Sequence, residues 1–229
     1  MSLSNWLPFI IVTLIIIIGF VKTISSYRKT IKNHNFAIEY MNNYREFCSP
    51  LFQNTFNSDK YQWLKMNSSK IQTLMGSFGI ASMYKPPGAN YYFSNHQMII
   101  NGISSIRESY SHMDNGFGLN LDRKILQETI RMIDDMLLTF IGAADNWVNE
   151  AQKELKNPLI WLREGVRFVV TSPVSLMYWS GLIRYRTYNT LSNNFLVKLL
   201  SFLIGVIGFV SSIVTIVTGY TPFRSLIGF

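Results

Sequence analysis

Few of the side chains that could do chemistry have the spacing that a catalytic or metal site requires. The three histidines, His34, His96 and His112, lie in different segments, whereas a zinc site needs at least three converging ligands. Asp134 and Asp135 are adjacent on a predicted helix, where neighbouring side chains point about 100° apart and do not share a face as an acid–base pair. The sequence therefore predicts no enzyme activity, no metal site and no cofactor.

Three further combinations carry the right residue types in the wrong context. Ser109, His112 and Asp114 flank a predicted loop that lacks a nucleophile elbow. Residues 116–118, Gly-Phe-Gly, lack the strand–turn–helix setting of a phosphate-binding loop. Cys48 is the single cysteine, so an intrachain disulfide is excluded, and we expect a buried small apolar side chain there.

The most regular pattern lies in residues 195–220, which carry no charge after Lys198 and are long enough to cross a bilayer as a helix. Small and weakly polar residues recur there at alternating intervals and fall on one stripe of that helix. The stripe consists of Ser201, Gly205, Gly208, Ser212, Thr215 and Gly219. It serves either close helix packing or the lining of a pore. The other uncharged apolar segment, residues 6–21, offers only Thr13 and Gly19 as small or weakly polar partners for this stripe. We therefore expect copies of the chain to associate.

The net charge of +8 comes from 21 Lys and Arg against 13 Asp and Glu. The basic excess borders the apolar segments, whereas residues 33–157 are close to neutral. The bordering cations are Lys22, Arg28, Lys29, Lys32, Arg163, Arg167, Arg184, Arg186 and Lys198. Duplex nucleic acid is not expected as a partner, because a nucleic-acid-binding domain carries its own basic face. The cations favour an anionic inner leaflet, with a soluble anion such as a nucleotide second messenger as the alternative.

Residues 6–21 form the other uncharged segment, with Trp6 as an interfacial aromatic residue. No basic side chain precedes it, the basic residues follow it, and no small-x-small cleavage site comes before those basic residues, so we predict a retained anchor rather than a signal peptide. The positive-inside rule places the cations that follow this anchor, and those that precede the last one, in the cytoplasm. This predicts a multi-pass protein of the cell inner (plasma) membrane, with both termini outside and the main domain cytoplasmic.

Between the anchors, apolar residues recur at helical spacing in four stretches. The predicted helices are 27–48, 59–78, 94–110 and 121–156. The proline after Ser49 ends the first, Asp59 caps the second, and the proline after Asn157 ends the fourth. Residues 85–93 are a predicted loop because two prolines and a glycine interrupt them. Since no stretch keeps a period of two, we expect little or no sheet.

Residues 158–183 form an ambiguous segment. Its uncharged part, 168–183, is short for a span and contains Pro173. We predict that it lies on the inner membrane interface, with Arg163, Glu164 and Arg167 facing headgroups. A re-entrant hairpin turning at Ser172 and Pro173 is the alternative, and it requires protein to cover the broken backbone.

These patterns predict an all-α membrane protein with two transmembrane helices flanking a cytoplasmic helical domain. An interfacial or re-entrant amphipathic segment precedes the second span. The predicted parts are the N-terminal anchor (1–24), the cytoplasmic helical domain (25–157), the amphipathic segment (158–190), and the C-terminal transmembrane helix with a short external tail (191–229).

The C-terminal part resembles an uncharacterised group of small bacterial membrane proteins. Its features are an NPLxWxREGxR segment, a proline-broken aromatic stretch ending in GLI, and a glycine-bearing anchor. The matching residues are Asn157, Pro158, Leu159, Trp161, Arg163, Glu164, Gly165 and Arg167, then Pro173, Trp179, Gly181, Leu182 and Ile183. The group is similar to membrane effectors of anti-phage defence such as the channel subunit of the Hailong system, in which an oligonucleotide signal opens an oligomeric channel. The resemblance implies an oligomeric effector or channel gated by a cytoplasmic signal.

Two other functions compete with a channel. One is a membrane-anchored scaffold or partner-binding module that assembles without conducting ions. The other is a membrane enzyme, which would require a pocket where two or more ionisable side chains converge. The candidates for such a pocket are His34, His96, His112, Asp134, Asp135 and Asp145.

Overall fold

The structure is a computed structural model of the 229-residue chain. It describes residues 7–86, 90–114 and 119–194, together with five single positions further on: Leu203, Ile207, Gly208, Ser211 and Val214. The described residues are mostly helical, which fits the predicted all-α class. The helices are α1 (Leu7–Cys48), α2 (Ser58–Met75), α3 (Met98–Asp114), α4 (Leu119–Leu155), α5 (Pro158–Trp179) and α6 (Tyr185–Asn193), and the strands are β1 (Ile80–Tyr84) and β2 (Phe93–Gln97).

The helix ends follow local chemistry. The α-helix α1 ends at Cys48, and the Ser-Pro pair that follows opens a short 3₁₀ turn, Ser49–Gln53. The predicted cap of α2 was wrong: Asn57 occupies the cap position, and its side-chain oxygen accepts a hydrogen bond from the Lys60 backbone nitrogen at 3.0 Å. Asp59 lies one position inside the helix, where its charge favours the positive end of the helix dipole.

A two-stranded antiparallel hairpin precedes α3, so the prediction that a helix begins at residue 94 was wrong. Its register pairs Ile80 with Gln97 and Tyr84 with Phe93. The buried Gln72 side chain fixes both ends of the hairpin to α2. Its Nε2 donates to the Gly79 carbonyl at 2.9 Å, and its Oε1 accepts from the Ile99 backbone nitrogen at 3.1 Å. The hydrogen bonds of Gln72 therefore stabilise the hairpin, although its strands lack the alternation of apolar and polar residues that is typical of strands.

The chain divides into two compact units. We call Met1–Arg28 together with Glu150–Phe229 the terminal unit, and Lys29–Asn149 the central unit. The central unit lies inside the predicted domain 25–157 and holds the hydrophobic core. Apolar residues from the four stretches of helical spacing are fully buried in that core, namely Tyr44, Phe47, Ile71, Ile99, Ile103, Ile106, Leu126, Ile133 and Leu137.

Within the central unit, α1 and α4 run antiparallel and are tied by polar contacts. Arg45 forms a two-pronged salt bridge with Asp134, with nitrogen–oxygen distances of 2.7 and 2.9 Å. The Tyr44 hydroxyl donates to the Ile130 carbonyl at 3.0 Å. These contacts fix the register of the two helices.

The terminal unit has a different surface. Of the described helices, only α1 is long and apolar enough to cross a membrane, and the stretch that meets this test begins at Ile10. Its apolar side chains are largely exposed, with Ile10, Leu14 and Ile17 each at about half of their full exposure. The predicted second span, in residues 191–229, falls almost entirely outside the described residues.

The amphipathic segment forms two helices. The backbone stays helical through Pro173 as far as Trp179, so the structure has no turn at Ser172 and Pro173. The turn comes at Gly181, whose positive φ of 79° suits glycine. The Gly181 nitrogen donates to the Tyr178 carbonyl at 3.0 Å, and α6 follows.

Candidate functional site

The terminal unit contains a close helix crossing, in which two glycines allow α1 and α5 to touch through their backbones. A Cβ atom added at Gly19 would overlap the Trp161 carbonyl, and one added at Gly165 would overlap the Ile15 carbonyl. Small residues permit this approach, as they do at packed helices in membranes. We call this contact the glycine crossing.

Larger side chains close around the glycine crossing. The Phe20 and Trp161 rings lie 4.6 Å apart, and the Trp161 indole nitrogen donates to the Leu155 carbonyl at 3.1 Å. The Lys22 ammonium sits 4.5 Å from the centre of the Phe168 ring, a cation–π distance. The buried Thr23 hydroxyl donates to the Gly19 carbonyl at 2.9 Å. Aromatic packing therefore reinforces the backbone contact.

The predicted anion-binding residues differ in their surroundings, because some contact carboxylates and others are exposed. Arg163 lies 3.0 Å from Glu164 and 3.7 Å from Glu154, and Arg167 lies 3.9 Å from Glu164. Acidic partners thus offset the two arginines of α5. The remaining described cations are exposed, namely Lys22, Arg28, Lys29, Lys32, Arg184 and Arg186. Lys198 lies outside the described residues.

Most of the predicted stripe lies outside the described residues, namely Ser201, Gly205, Ser212, Thr215 and Gly219. Gly208 is described as helical, and a Cβ added there would meet no other atom within 4 Å. The packing or pore-lining role of the stripe remains a prediction.

One pair from the set that an enzyme would need does converge. His34 Nε2 lies 2.7 Å from Asp145 Oδ1, without the alignment of a hydrogen bond. This pair joins α1 to α4, and Asp145 is 60% exposed. Asp134 is engaged by Arg45, while Asp135 is exposed. The converging pair therefore ties two helices on the surface of the central unit.

The remaining candidates lie apart. His96 is stacked against Tyr84 and Phe93, with ring centres 4.6 and 5.4 Å away, and burial lowers its pKa. His112 is exposed near the end of α3. Cys48 is buried, as predicted, and burial raises its pKa to about 12. Among the described residues, no group of three His, Cys, Asp or Glu side chains could hold a metal ion.

A shallow groove of about 410 Å³ lies between α1 and the start of α2 in the central unit. Most of its lining residues have polar side chains, and the set consists of Asn35, Ile38, Glu39, Asn42, Asn43, Glu46 and Lys60. Lys60 contacts Glu46 and donates to the Asn43 side-chain oxygen at 2.7 Å. With two carboxylates and one engaged ammonium, the groove does not favour an anion. No local pattern in the chain indicates this groove, because its residues come from two separate helices.

The glycine crossing was also missed at the level of sequence. Gly19 was recognised as one of the few small residues of the first anchor, and Gly165 belongs to the REG motif, but nothing in the chain order pairs them. The predicted role of Arg163 and Arg167 took no account of Glu154.

No protein-family model, curated protein or solved structure matches this chain.

Proposed function

We propose that this chain is an integral membrane protein that acts as an oligomeric effector or channel, gated by a cytoplasmic signal and without enzyme activity. The main support is the contrast between the two units. The hydrophobic core lies in the central unit, whereas α1 of the terminal unit exposes apolar side chains such as Ile10, Leu14 and Ile17. In this proposal a bilayer covers that surface. Exposed apolar patches of this extent are rare on proteins that are surrounded by water.

In this proposal the protein is a multi-pass protein of the cell inner membrane. Both termini lie outside and the central unit lies in the cytoplasm, as the positions of the cations favour. The resemblance of the C-terminal part adds a role in bacterial anti-phage defence. The second span is the apolar segment in residues 191–229.

Self-association is supported by the packing of α5 against the Gly19 face of α1. Gly19 is the glycine of the first anchor, and Gly165 already fills the space beside it. That face of α1 is therefore not available to the small-residue stripe of the last helix. Copies of the same helix are the partner that the stripe fits best, either as tight packing or around a conducting axis.

The gating signal in this proposal is an anion that meets exposed cations. The polar groove of the central unit does not suit an anion, and Glu154 and Glu164 offset the arginines of α5. Exposed cations such as Arg28, Lys32 and Arg184 remain available to anionic lipid headgroups, each contributing about 1 kcal/mol near such a surface. A nucleotide second messenger is the alternative anion.

A non-conducting scaffold is the second candidate function, and the hairpin of the central unit favours it. Met83, Tyr91 and Tyr92 are 71%, 58% and 61% exposed. Exposed aromatic side chains beside an open strand edge suit contact with a partner protein. In this case the membrane segments would anchor and cluster the chain while the central unit recruits the partner.

Membrane potential during induced expression in bacteria separates these functions. A channel predicts depolarisation and slowed growth, both abolished by Gly205→Leu and by Gly208→Leu, which would place bulk on the stripe. Gly142→Leu is the matched control, because Gly142 is exposed on α4 and a Cβ there meets no atom within 4 Å.

The result also distinguishes the two candidates. Lost depolarisation with intact oligomers indicates a lined pore, whereas wild-type oligomers without depolarisation indicate the scaffold. A wild-type chain that is both inert and monomeric in mild detergent would contradict self-association and the channel together.

A further inference from the structure

We infer that α5 lies in the plane of the cytoplasmic membrane boundary, with its apolar side against the acyl chains of the inner leaflet, and does not span the bilayer. This inference rests on the membrane embedding proposed above for the terminal unit. It decides between the interfacial and the re-entrant placement of residues 158–183.

The contacts around the glycine crossing show the direction of α5. Phe20 and Lys22 point about 200° apart on α1, so they lie on opposite flanks of that helix. Phe20 contacts Trp161, whereas Lys22 contacts Phe168. Those two α5 residues are separated by about 10 Å along the helix axis. Hence α5 passes from one flank of α1 to the other and does not run along it.

The position of the crossing on α1 sets its depth. Gly19 lies near the end of the uncharged segment 6–21, and Lys22 is the first of the cations that follow. If α1 crosses the bilayer, this level is the cytoplasmic boundary. A helix that crosses α1 from flank to flank at this level lies along the membrane surface.

The side chains of α5 are divided as such a placement requires. Val169 and Leu176 are 46% and 64% exposed and lie on one side of the helix. At 100° per residue, Arg163, Glu164 and Arg167 centre on the opposite side, where Glu164 contacts both arginines. A helix with these two sides suits a membrane interface, with its charges among headgroups and its apolar side about 5–10 Å deep.

The corner after α5 has the composition of an interface as well. Trp179 and Leu182 are 87% and 74% exposed, and the Tyr178 and Tyr188 rings stack at 5.1 Å. Tryptophan and tyrosine are enriched where headgroups meet acyl chains. The exposed Arg184 beside them fits the cytoplasmic leaflet, on the same side as Lys22.

Spin labels on single cysteines test this placement in the full chain. The protein is reconstituted into vesicles of phosphatidylcholine and phosphatidylglycerol, with one cysteine replacing Leu159, Val169, Leu176 or Leu14. The wild-type chain is the blank, because its only cysteine, Cys48, is buried. Label depth is measured from the relative accessibility to oxygen and to a polar nickel reagent.

The inference predicts that labels at Leu159, Val169 and Leu176 report the same shallow depth, within about 5 Å, while Leu14 reports a deeper position. A helix along the membrane normal would instead separate Leu159 from Leu176 by about 26 Å in depth. Depths that differ by half of that value or more would overturn the inference and leave the proposed membrane function intact. A water-exposed label at Leu14 would refute membrane embedding itself.

Discussion

At the scale of single residues, the buried side chain of Gln72 connects α2 to both ends of the hairpin. It is 6% exposed and satisfies the Gly79 carbonyl and the Ile99 nitrogen, one on each side of the hairpin. Gln72→Leu leaves both backbone groups buried and unpaired, which we expect to lower the free energy of unfolding by about 1–3 kcal/mol. Denaturant unfolding of the purified chain measures this loss.

The matched control for that change is Gln62→Leu, on the same helix but exposed. We expect it to alter the free energy of unfolding by less than about 0.5 kcal/mol. Equal effects at the two positions would show that the hairpin does not depend on the Gln72 hydrogen bonds.

The Cys48 thiol gives the central unit a defined pH dependence. Burial raises its folded pKa to about 12, above the ordinary value of 9.0, and the nearby Asp134 adds to the shift. As pH rises above about 9, the unfolded chain releases the thiol proton while the folded chain retains it, so stability falls. We expect a loss of up to about 1.4 kcal/mol per pH unit from this group.

Unfolding measured between pH 8 and 10.5 tests this dependence, with Cys48→Ala as the comparison. The variant lacks the thiol, so its stability should fall less steeply across that range. Burial raises the pKa of Tyr40 and Tyr44 in the same direction, so a residual slope is expected in both proteins. Identical slopes would show that the thiol already ionises in the folded state.

At the scale of secondary-structure elements, the glycine crossing makes a sharp prediction about side-chain size. Gly165→Ala places a methyl group against the Ile15 backbone carbonyl, which cannot move as a side-chain end can. Overpacking of this kind costs about 1–3 kcal/mol, so we expect a lower thermal midpoint for the full chain in detergent. Gly142→Ala meets no neighbour on α4 and gains helix propensity, so its midpoint should stay equal or rise.

A Gly165→Ala midpoint equal to that of Gly142→Ala would contradict the close approach of α1 and α5. The Lys22→Met variant serves as a second check, because it removes the charge above Phe168 without adding bulk at the crossing. Its effect should be smaller than that of Gly165→Ala, since a partly exposed cation–π contact contributes about 0.5–1 kcal/mol.

The elements show which parts of the fold a sequence can predict. Long helices such as α4 were predictable because apolar residues repeat at helical spacing over many turns. The hairpin was not, because its five-residue strands do not alternate and depend on Gln72 for support. Pro173 was a poor guide to a break, since α5 continues through it. Around that position the Thr171 and Ser175 hydroxyls donate to carbonyls one turn earlier, at 2.8 and 3.1 Å.

At the scale of the whole molecule, the chain combines a packed central unit with a terminal unit whose apolar surface is exposed. The position of the cations and the apolar run of α1 were visible in the sequence. The pairing of Gly19 with Gly165 was not, because contacts between distant segments leave no local pattern in one sequence. The same limit applies to the His34–Asp145 pair, which chain order alone could not bring together.

Self-association is the central claim at this scale, because both the channel and the clustered scaffold require it. Native mass spectrometry of the full chain in mild detergent measures it most directly. The account predicts a discrete oligomer, a multiple of the 26.4 kDa chain, for the wild-type chain and for Gly142→Leu. The Gly205→Leu, Gly208→Leu double variant dissociates if the stripe packs the helices together and stays oligomeric if the stripe lines a pore. A wild-type chain that remains a 26.4 kDa monomer across concentrations and detergents would contradict it.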